Sequence, residues 1–435
     1  MATATKAQDR ASFIAYFRDA ATKTQMVGQS VRDAAEASLA DLDFPHKKVE
    51  AWKYTSVKSL LKQSLTHQPG PGVESIDPYL IPGLEADVMV FINERYASEH
   101  STLQHNGDAL RVAPISELQG VPLEVFEANF GQVMAADWDI FSAVNTAYAR
   151  EGVVAFIPKG KALSHPVHII HLTDGHAQGN SVGVQHRNLF VVGDGAEGKI
   201  VETFHSLGET GQTLRLGGTE VIVGQNAGLE HIRLQLENSH SSIIDRTEVH
   251  QAQDSRYHVY TLTFSGDLVR NSLVVRLKGA NTHTDMYGAY LLGGEQHLDN
   301  WTQIHHEQPN CYSNELYKGM VDDESSAAFT GKIHVYQPAQ KTNAYQSNRN
   351  IILSDTANIY TKPQLEIYAD DVKCSHGATT GRIDREALFY LMARGIPEKT
   401  ARMMMIHAFV MEVIDHISLE PVKDFVDALV EQAST

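Results

Sequence analysis

From Gly152 to about Val372 the chain runs in short apolar segments with no convincing amphipathic helix among them. VVAFIP, VHIIHL, NLFVV, EVIVG, HIRLQL, LVVRLKG, IHVYQ and NIILS are β-branched, alternating, and punctuated by Gly, Asn and Asp. Such runs read as strands. Between them recur short polar turns that each hold a small residue: GDGAEGKI, GQNAGLEHI, KGANTHTDM, DESSAAFTGKI and SDTANIYTK. Their alanines stand at 196, 227, 280, 327 and 357, at irregular intervals. That spacing is too uneven for a propeller, whose blades repeat strictly, and it predicts a stacked β-solenoid with unequal rungs. One short rung cannot bury its own apolar face, whereas stacked rungs bury a continuous one. A pair of two-sheet sandwiches is the rival arrangement.

Helical periodicity flanks this core. Residues 1 to about 65 read as helical, with Phe13, Phe17 and Ala20 at helical spacing and SVRDAAEASLADL rich in helix formers. HQPGPG at 67–72 reads as a linker. Residues 73–150 are mixed, with a strand at VMVFIN and one helix expected through FEANFGQVMAADWDIFSAVNTAYAR. Near the other end Asp384 is placed to cap REALFYLMAR, which Gly395 ends. Pro397 belongs in the first turn of the next helix, whose Met403, Met404, His407, Phe409, Val410, Met411 and Ile414 form a broad apolar surface. A third helix is expected after Pro421, with Phe425, Val426, Leu429 and Val430 on one side. These faces either pack on one another or receive a partner. The expected division is 1–150, a helical and mixed region; 151–380, the β core; and 381–435, a small helical domain.

At roughly 150 residues per unit, 435 residues suit about three such regions. A hydrophobic share of 42% supplies a sizeable core. No stretch is long and apolar enough for a membrane helix, and MATATKAQDR has neither the apolar block of a secretory signal nor an acid-free transit pattern. A cytoplasmic location is the expectation. The formal charge is −17, from 36 basic and 53 acidic residues, which disfavours nucleic acid and anionic membrane as partners. Residues 1–65 alone carry ten Lys/Arg against seven Asp/Glu. The two cysteines form no disulfide framework, while the 22 histidines are many.

Most tempting motifs fail on physical grounds. GDGAEG at Gly193–Gly198 matches a dinucleotide fingerprint, but KIVETF follows it as a strand, so no helix end awaits a pyrophosphate. No phosphate loop, H-E-x-x-H or G-x-S-x-G occurs. His165, His168 and His171 are three apart, and on a strand such positions alternate faces, so only His165 and His171 share one. His305 and His306 diverge for the same reason, and fourteen of the histidines are scattered between His165 and His306. The paired acids Asp322–Asp323 and Asp370–Asp371 raise a carbohydrate-active β-helix enzyme as an alternative, though adjacent strand acids diverge and turn or surface positions suit them better.

DDVKCSHGATTGRID is the strongest local constellation. Cys374 and His376 are two apart, so an extended backbone projects both from one face, with Lys373 on the other and Gly377 ending the run. A thiol and an imidazole together suit iron, zinc or a transient cluster. An inert buried thiol beside a hydrogen-bonded histidine is the plainer alternative. Cys311, in HEQPNCYSNE, reads as a loop thiol.

Around these residues TKPQLEIYADDVKCSHGATTGRIDREALFYLMARGI closely resembles the SufB/SufD family of iron–sulfur cluster assembly proteins, and its SufD branch in particular. EAWKYTSVKSL, VFINERYASEHS and SNELYKGMVDDESSAAFTGKIHVYQPAQKTNAYQSNRN agree, so the resemblance spans essentially the whole chain. SufB chains share the A-T-T/LFY/RG pattern but typically have Glu-His-Glu in place of Cys-Ser-His-Gly. The resemblance implies a right-handed parallel β-helix core between helical ends, and a non-enzymatic scaffold subunit. It further implies pairing with SufB through the β-helices and binding of the ATPase SufC through the terminal helices, where Met403, Met404, His407, Phe409 and Met411 are the candidates. That would account for the missing phosphate loop. The family's interface histidine falls on His376, with Cys374 beside it, as ligands of a transient Fe–S cluster at the subunit interface; no stable cofactor is expected on the isolated chain. Self-pairing into a homodimer is expected when SufB is absent, and a SufB-like chain that accepts clusters alone is the alternative within the family.

Overall fold

A computed structural model describes residues 2–21, 26–66, 72–175 and 181–433; most of the expected linker at 67–72 lies outside them. Its core is a β-solenoid of about seven turns. Among the described residues successive strands alternate between two ten-stranded sheets, so that Thr213–Val223 lies in the first and Glu197–Leu207 in the second, and within the solenoid neighbouring strands pair in parallel. Residues 87–92 and 111–114 also join these sheets, by pairing with Val167–Asp174 and, antiparallel, with Val153–Ile157.

The register explains the uneven alanines. Glu197, Gly228, Arg256, His283, Tyr312, Asn343 and Lys373 are successive Cα partners, so every coil takes nearly the same length of chain. Directly before these partners sit Ala196, Ala227, Ser255, Thr282, Cys311 and Thr342, all nearly inaccessible and stacked along one corner. Ala327 and Ala357 lie on strands or turns of the opposite corner, and Ala280 is outside both stacks. Counting alanines therefore mixed two corners of a nearly regular coil. At the first corner Asn226, Asp254, Asn281 and Asn310 hold φ between 53° and 60°. Asn and Asp tolerate this left-handed geometry where other side chains clash. Each of their N–H groups bonds a carbonyl of the next coil, as Asp254 N does to Ala280 O at 2.9 Å.

Strand alternation divides inside from outside. Val192, Ile200, Val221, Leu229, Val249, Val259, Val275 and Ile333 form the dry part of the lumen. The same alternation brings charge inside, because Glu202, His231, Arg233, Arg215 and Asp245 occupy inward positions and pair with one another. Arg215 Nη1 lies 2.6 Å from Asp245 Oδ2, and Arg233 Nε lies 3.1 Å from Glu202 Oε1. Burial opposes ionisation of both acids, but Arg233, with His231 for Glu202 and Arg215 for Asp245, overcomes it and holds them below the usual carboxylate range.

Helices cover the outer faces. Near the amino end α1 (Ala2–Ala21) and α2 (Gln29–Ser38) form as expected, while 39–65 is irregular with short 3-10 turns. The single helix expected across 126–150 is instead α3 (Gly120–Asn129) and α4 (Ile140–Tyr148). Gly131 at φ 73° breaks the path between them, and Asp139 opens α4 by accepting from Ser142 N. Phe13, Phe17, Trp52 and Phe141 pack with Leu214, Leu216 and Ile244 on the outside of the first sheet. At the other end stand α5 (Arg385–Ala393), α6 (Glu398–Ile414) and α7 (Glu420–Ala433). Asp384 caps α5 through Glu386 N at 2.9 Å, and Gly395 follows at φ 87°. Pro397 sits one residue earlier than expected, at the cap of α6, and α7 already includes Pro421.

Candidate functional site at the open end of the solenoid

The last coil consists of Asn358–Ile367 in one sheet and Val372–Gly381 in the other, each the outermost strand of its sheet. Among the described residues no further strand pairs with their outer edges, and the rim around them exposes Tyr360, Ile367 and Tyr368. Gly377 does not end the final strand, which continues to Gly381; an extended glycine is compatible with pairing, and Gly377 pairs with Ser347.

Cys374 and His376 both lie on this strand. They pair with Ala344 and Gln346, which belong to the inward-facing set, so the two side chains share the lumen side where the solenoid opens. Cys374 is half-buried against the lumen core, whereas His376 is exposed. Burial pushes the Cys374 thiol up, so it is protonated near neutrality until a metal or base takes its proton. The thiol is thus only partly covered, and the imidazole beside it is open to solvent. Cys311, by contrast, is part of the corner stack, with its sulfur 3.2 Å from Gln308 O.

The profile described as the SUF system FeS cluster assembly, SufBD core domain, matches residues 173–409, and that of the SufBD protein N-terminal region matches 8–169. This chain belongs to the SufB/SufD family. An iron–sulfur cluster assembly SufBD family protein of Synechocystis is 32% identical over 89% of this chain and 87% of its own length. The iron–sulfur cluster assembly protein SufD of Escherichia coli is 31% identical over 89% of both chains. The chloroplastic protein ABCI7 of Arabidopsis thaliana is 29% identical over 91% of this chain and 84% of its own.

Membership in the SufB/SufD family leaves the other candidates to be placed by geometry. Of the helical residues, Met404 is exposed and Met403 partly so. His407 is engaged by Asp427 of α7, Phe409 lies under the Lys318 ammonium at 4.4 Å, and Met411 packs on the helix–sheet core. The largest exposed groups there are on α5, where Phe389, Tyr390 and Met392 face outward. The sequence alone named no candidate on α5, where packing among the three helices was an open alternative; the signal was LFY, three large apolar residues in a row, which no single helix face can bury.

The remaining motifs stay structural. His168 is buried against Thr203 at 3.0 Å and His171 stacks on Phe204, while His165 lies before the strand. His306 points inward to Ser313 and His305 outward to Gln303. Among the described residues no group of three or more His, Cys, Asp or Glu is placed to hold a metal. Gly193–Gly198 is a turn into a strand. Asp322–Asp323 and Asp370–Asp371 lie in turns, Asp323 Oδ2 accepting from Gly294 N at 2.8 Å. Among the described residues no helix is long and apolar enough to cross a membrane.

Proposed function

We propose that this chain is a scaffold subunit for iron–sulfur cluster assembly, of the SufD kind, that completes its site only against a second subunit. The observation that carries this reading is the pairing of a half-buried thiol, Cys374, with an exposed imidazole, His376, on the free edge of the last coil. Two donors leave the other positions of an iron ion to be filled from outside, and the open strand edges provide a template on which another β-solenoid can dock. SufB is the partner suggested by family membership, with self-pairing into a homodimer in its absence.

In this reading the nascent cluster is cargo held at the seam. His376 supplies a neutral nitrogen ligand, and Cys374 supplies sulfur once its proton has left. The ATPase SufC docks on the carboxy-terminal helices, where Phe389, Tyr390, Met392 and Met404 stand free and Met403, His407, Phe409 and Met411 form the layer beneath. These helices are fixed to the outer face of the second sheet, so a movement of SufC would be passed to the seam through a packed lever.

The test is co-expression with SufB and SufC chains, measurement of stoichiometry, and iron–sulfur reconstitution of the purified complex. The expected result is an intact complex whose His376→Ala form assembles little cluster. Undiminished assembly in that variant would remove His376 from the site. Stable cluster absorption on the isolated chain would favour the SufB-like reading.

A further inference from the structure

Two coils back from the open end, the lumen holds a carboxylic acid that the reading above does not use. Glu315 is buried at an inward position of Tyr312–Val321. Its Oε2 accepts a hydrogen bond of 2.6 Å from Nε2 of Gln346, its register partner on the next strand. Gln346 is in turn the register partner of His376. The three side chains therefore form one inward-facing ladder with about 4.8 Å between rungs.

Two further observations mark this ladder as built. A Cβ at Gly331, on the facing sheet, would overlap the Gln346 amide, so the glycine leaves the space that the amide fills. With its nitrogen bound to Glu315, Gln346 keeps Oε1 buried and without a hydrogen-bond partner among the described residues. An orphaned buried acceptor is costly, by about 1–3 kcal/mol, and points to a donor that arrives later. His376 is the next residue along the ladder, and an imidazole that ligates through one nitrogen has an N–H to donate through the other.

We infer that Gln346 is a positioning residue for His376, its Oε1 accepting the imidazole N–H when His376 binds metal, and that Glu315 holds the Gln346 amide in the orientation this requires. The inference rests on the reading of His376 as a ligand and deepens it. Burial pushes the Glu315 carboxyl up to about 7, against the hydrogen bond from Gln346 and the nearby Thr302 hydroxyl. Thr302 faces it from the opposite sheet and Tyr317 neighbours it on its own strand. Protonated or not, Glu315 keeps an oxygen to accept from Gln346.

The test is titration with Co2+ of the full chain purified in complex with SufB, read by its absorption spectrum, on the wild type and on Gln346→Met, Glu315→Gln and His376→Ala. Gln346→Met is expected to weaken cobalt binding by about 10–100-fold, Glu315→Gln to bind as the wild type does, and His376→Ala to lose the site. Wild-type affinity in a folded Gln346→Met variant, with His376→Ala inactive in binding, would overturn the inference and leave the reading of His376 standing. Wild-type affinity in His376→Ala would overturn that reading itself. If Gln346→Met does not fold, Gln346→Glu, which keeps an acceptor oxygen, and Glu315→Leu, which frees the amide, make the same comparison: the first should retain affinity and the second lose it, and the reverse order overturns the inference.

Discussion

Tyr317 is seated on Gly288, its register partner across the second sheet, and the space a Cβ would occupy at Gly288 is filled by the tyrosine ring. The same strands repeat the device in the opposite sense, with Tyr290 on Gly319. Both rings are buried in the lumen, where a bare glycine lets an aromatic side chain lie across the neighbouring coil. Gly288→Ala or Gly319→Ala should overpack this interlock and cost about 1–3 kcal/mol. A lower urea midpoint with an unchanged denaturant slope checks it, and unchanged midpoints in both variants would mean that the rings move aside freely.

Acid should destabilise the fold through its buried imidazoles. Burial lowers His168 and His306 to about 3 and His186 and His205 to about 4. Between these values and an unfolded value of about 6.5, the unfolded chain binds more protons, so stability is full above that range and falls as pH drops through it. Each group contributes at most about 1.4 kcal/mol per pH unit. Urea midpoints measured from pH 7 to pH 4.5 should decline steeply, and a flat profile would show that these imidazoles are hydrated.

Lys318 ties α6 to the solenoid. Its ammonium, nearly inaccessible, donates to Phe409 O at 2.9 Å and pairs with Glu412. Lys318→Met should cost about 1–3 kcal/mol, since it leaves that carbonyl and carboxylate without their donor, and should raise hydrogen exchange along α6. The Lys318 bond depresses the Glu412 carboxyl despite some desolvation, so this contribution is present above the ordinary glutamate range and is lost as pH falls through the depressed value. Unaltered exchange in α6 would place the anchor in the apolar contacts alone.

His376→Ala should leave the thermal midpoint within a degree or two, the effect of about 0.5 kcal/mol or less expected at an exposed edge. A cluster defect in His376→Ala at unchanged stability assigns the loss to ligation. A large drop in melting temperature would make it a folding defect.

Short alternating segments with turn residues between them already favoured a stacked β core over a pair of sandwiches, because stacked rungs bury many small apolar faces in one continuous core. Residues Asp384 and Gly395 located α5, since caps act locally through one or two hydrogen bonds. The spacing of Cys374 and His376 put both on one face, as strand geometry alone requires. Register was not legible: coils of nearly equal length look irregular along the chain and become regular only when backbone hydrogen bonds align them. Nor could the sequence show that 126–150 breaks into two helices, because Gly131 and the capping of Ser142 by Asp139 compete with a periodicity that continues through them. Above all, only the tertiary structure decided which way the shared face of Cys374 and His376 points. It alone also decided that Glu315 and Gln346, two coils and one coil earlier, stand behind His376. A parallel solenoid brings distant residues into one ladder by closing whole coils, and that closure is a property of long-range pairing that no local pattern encodes.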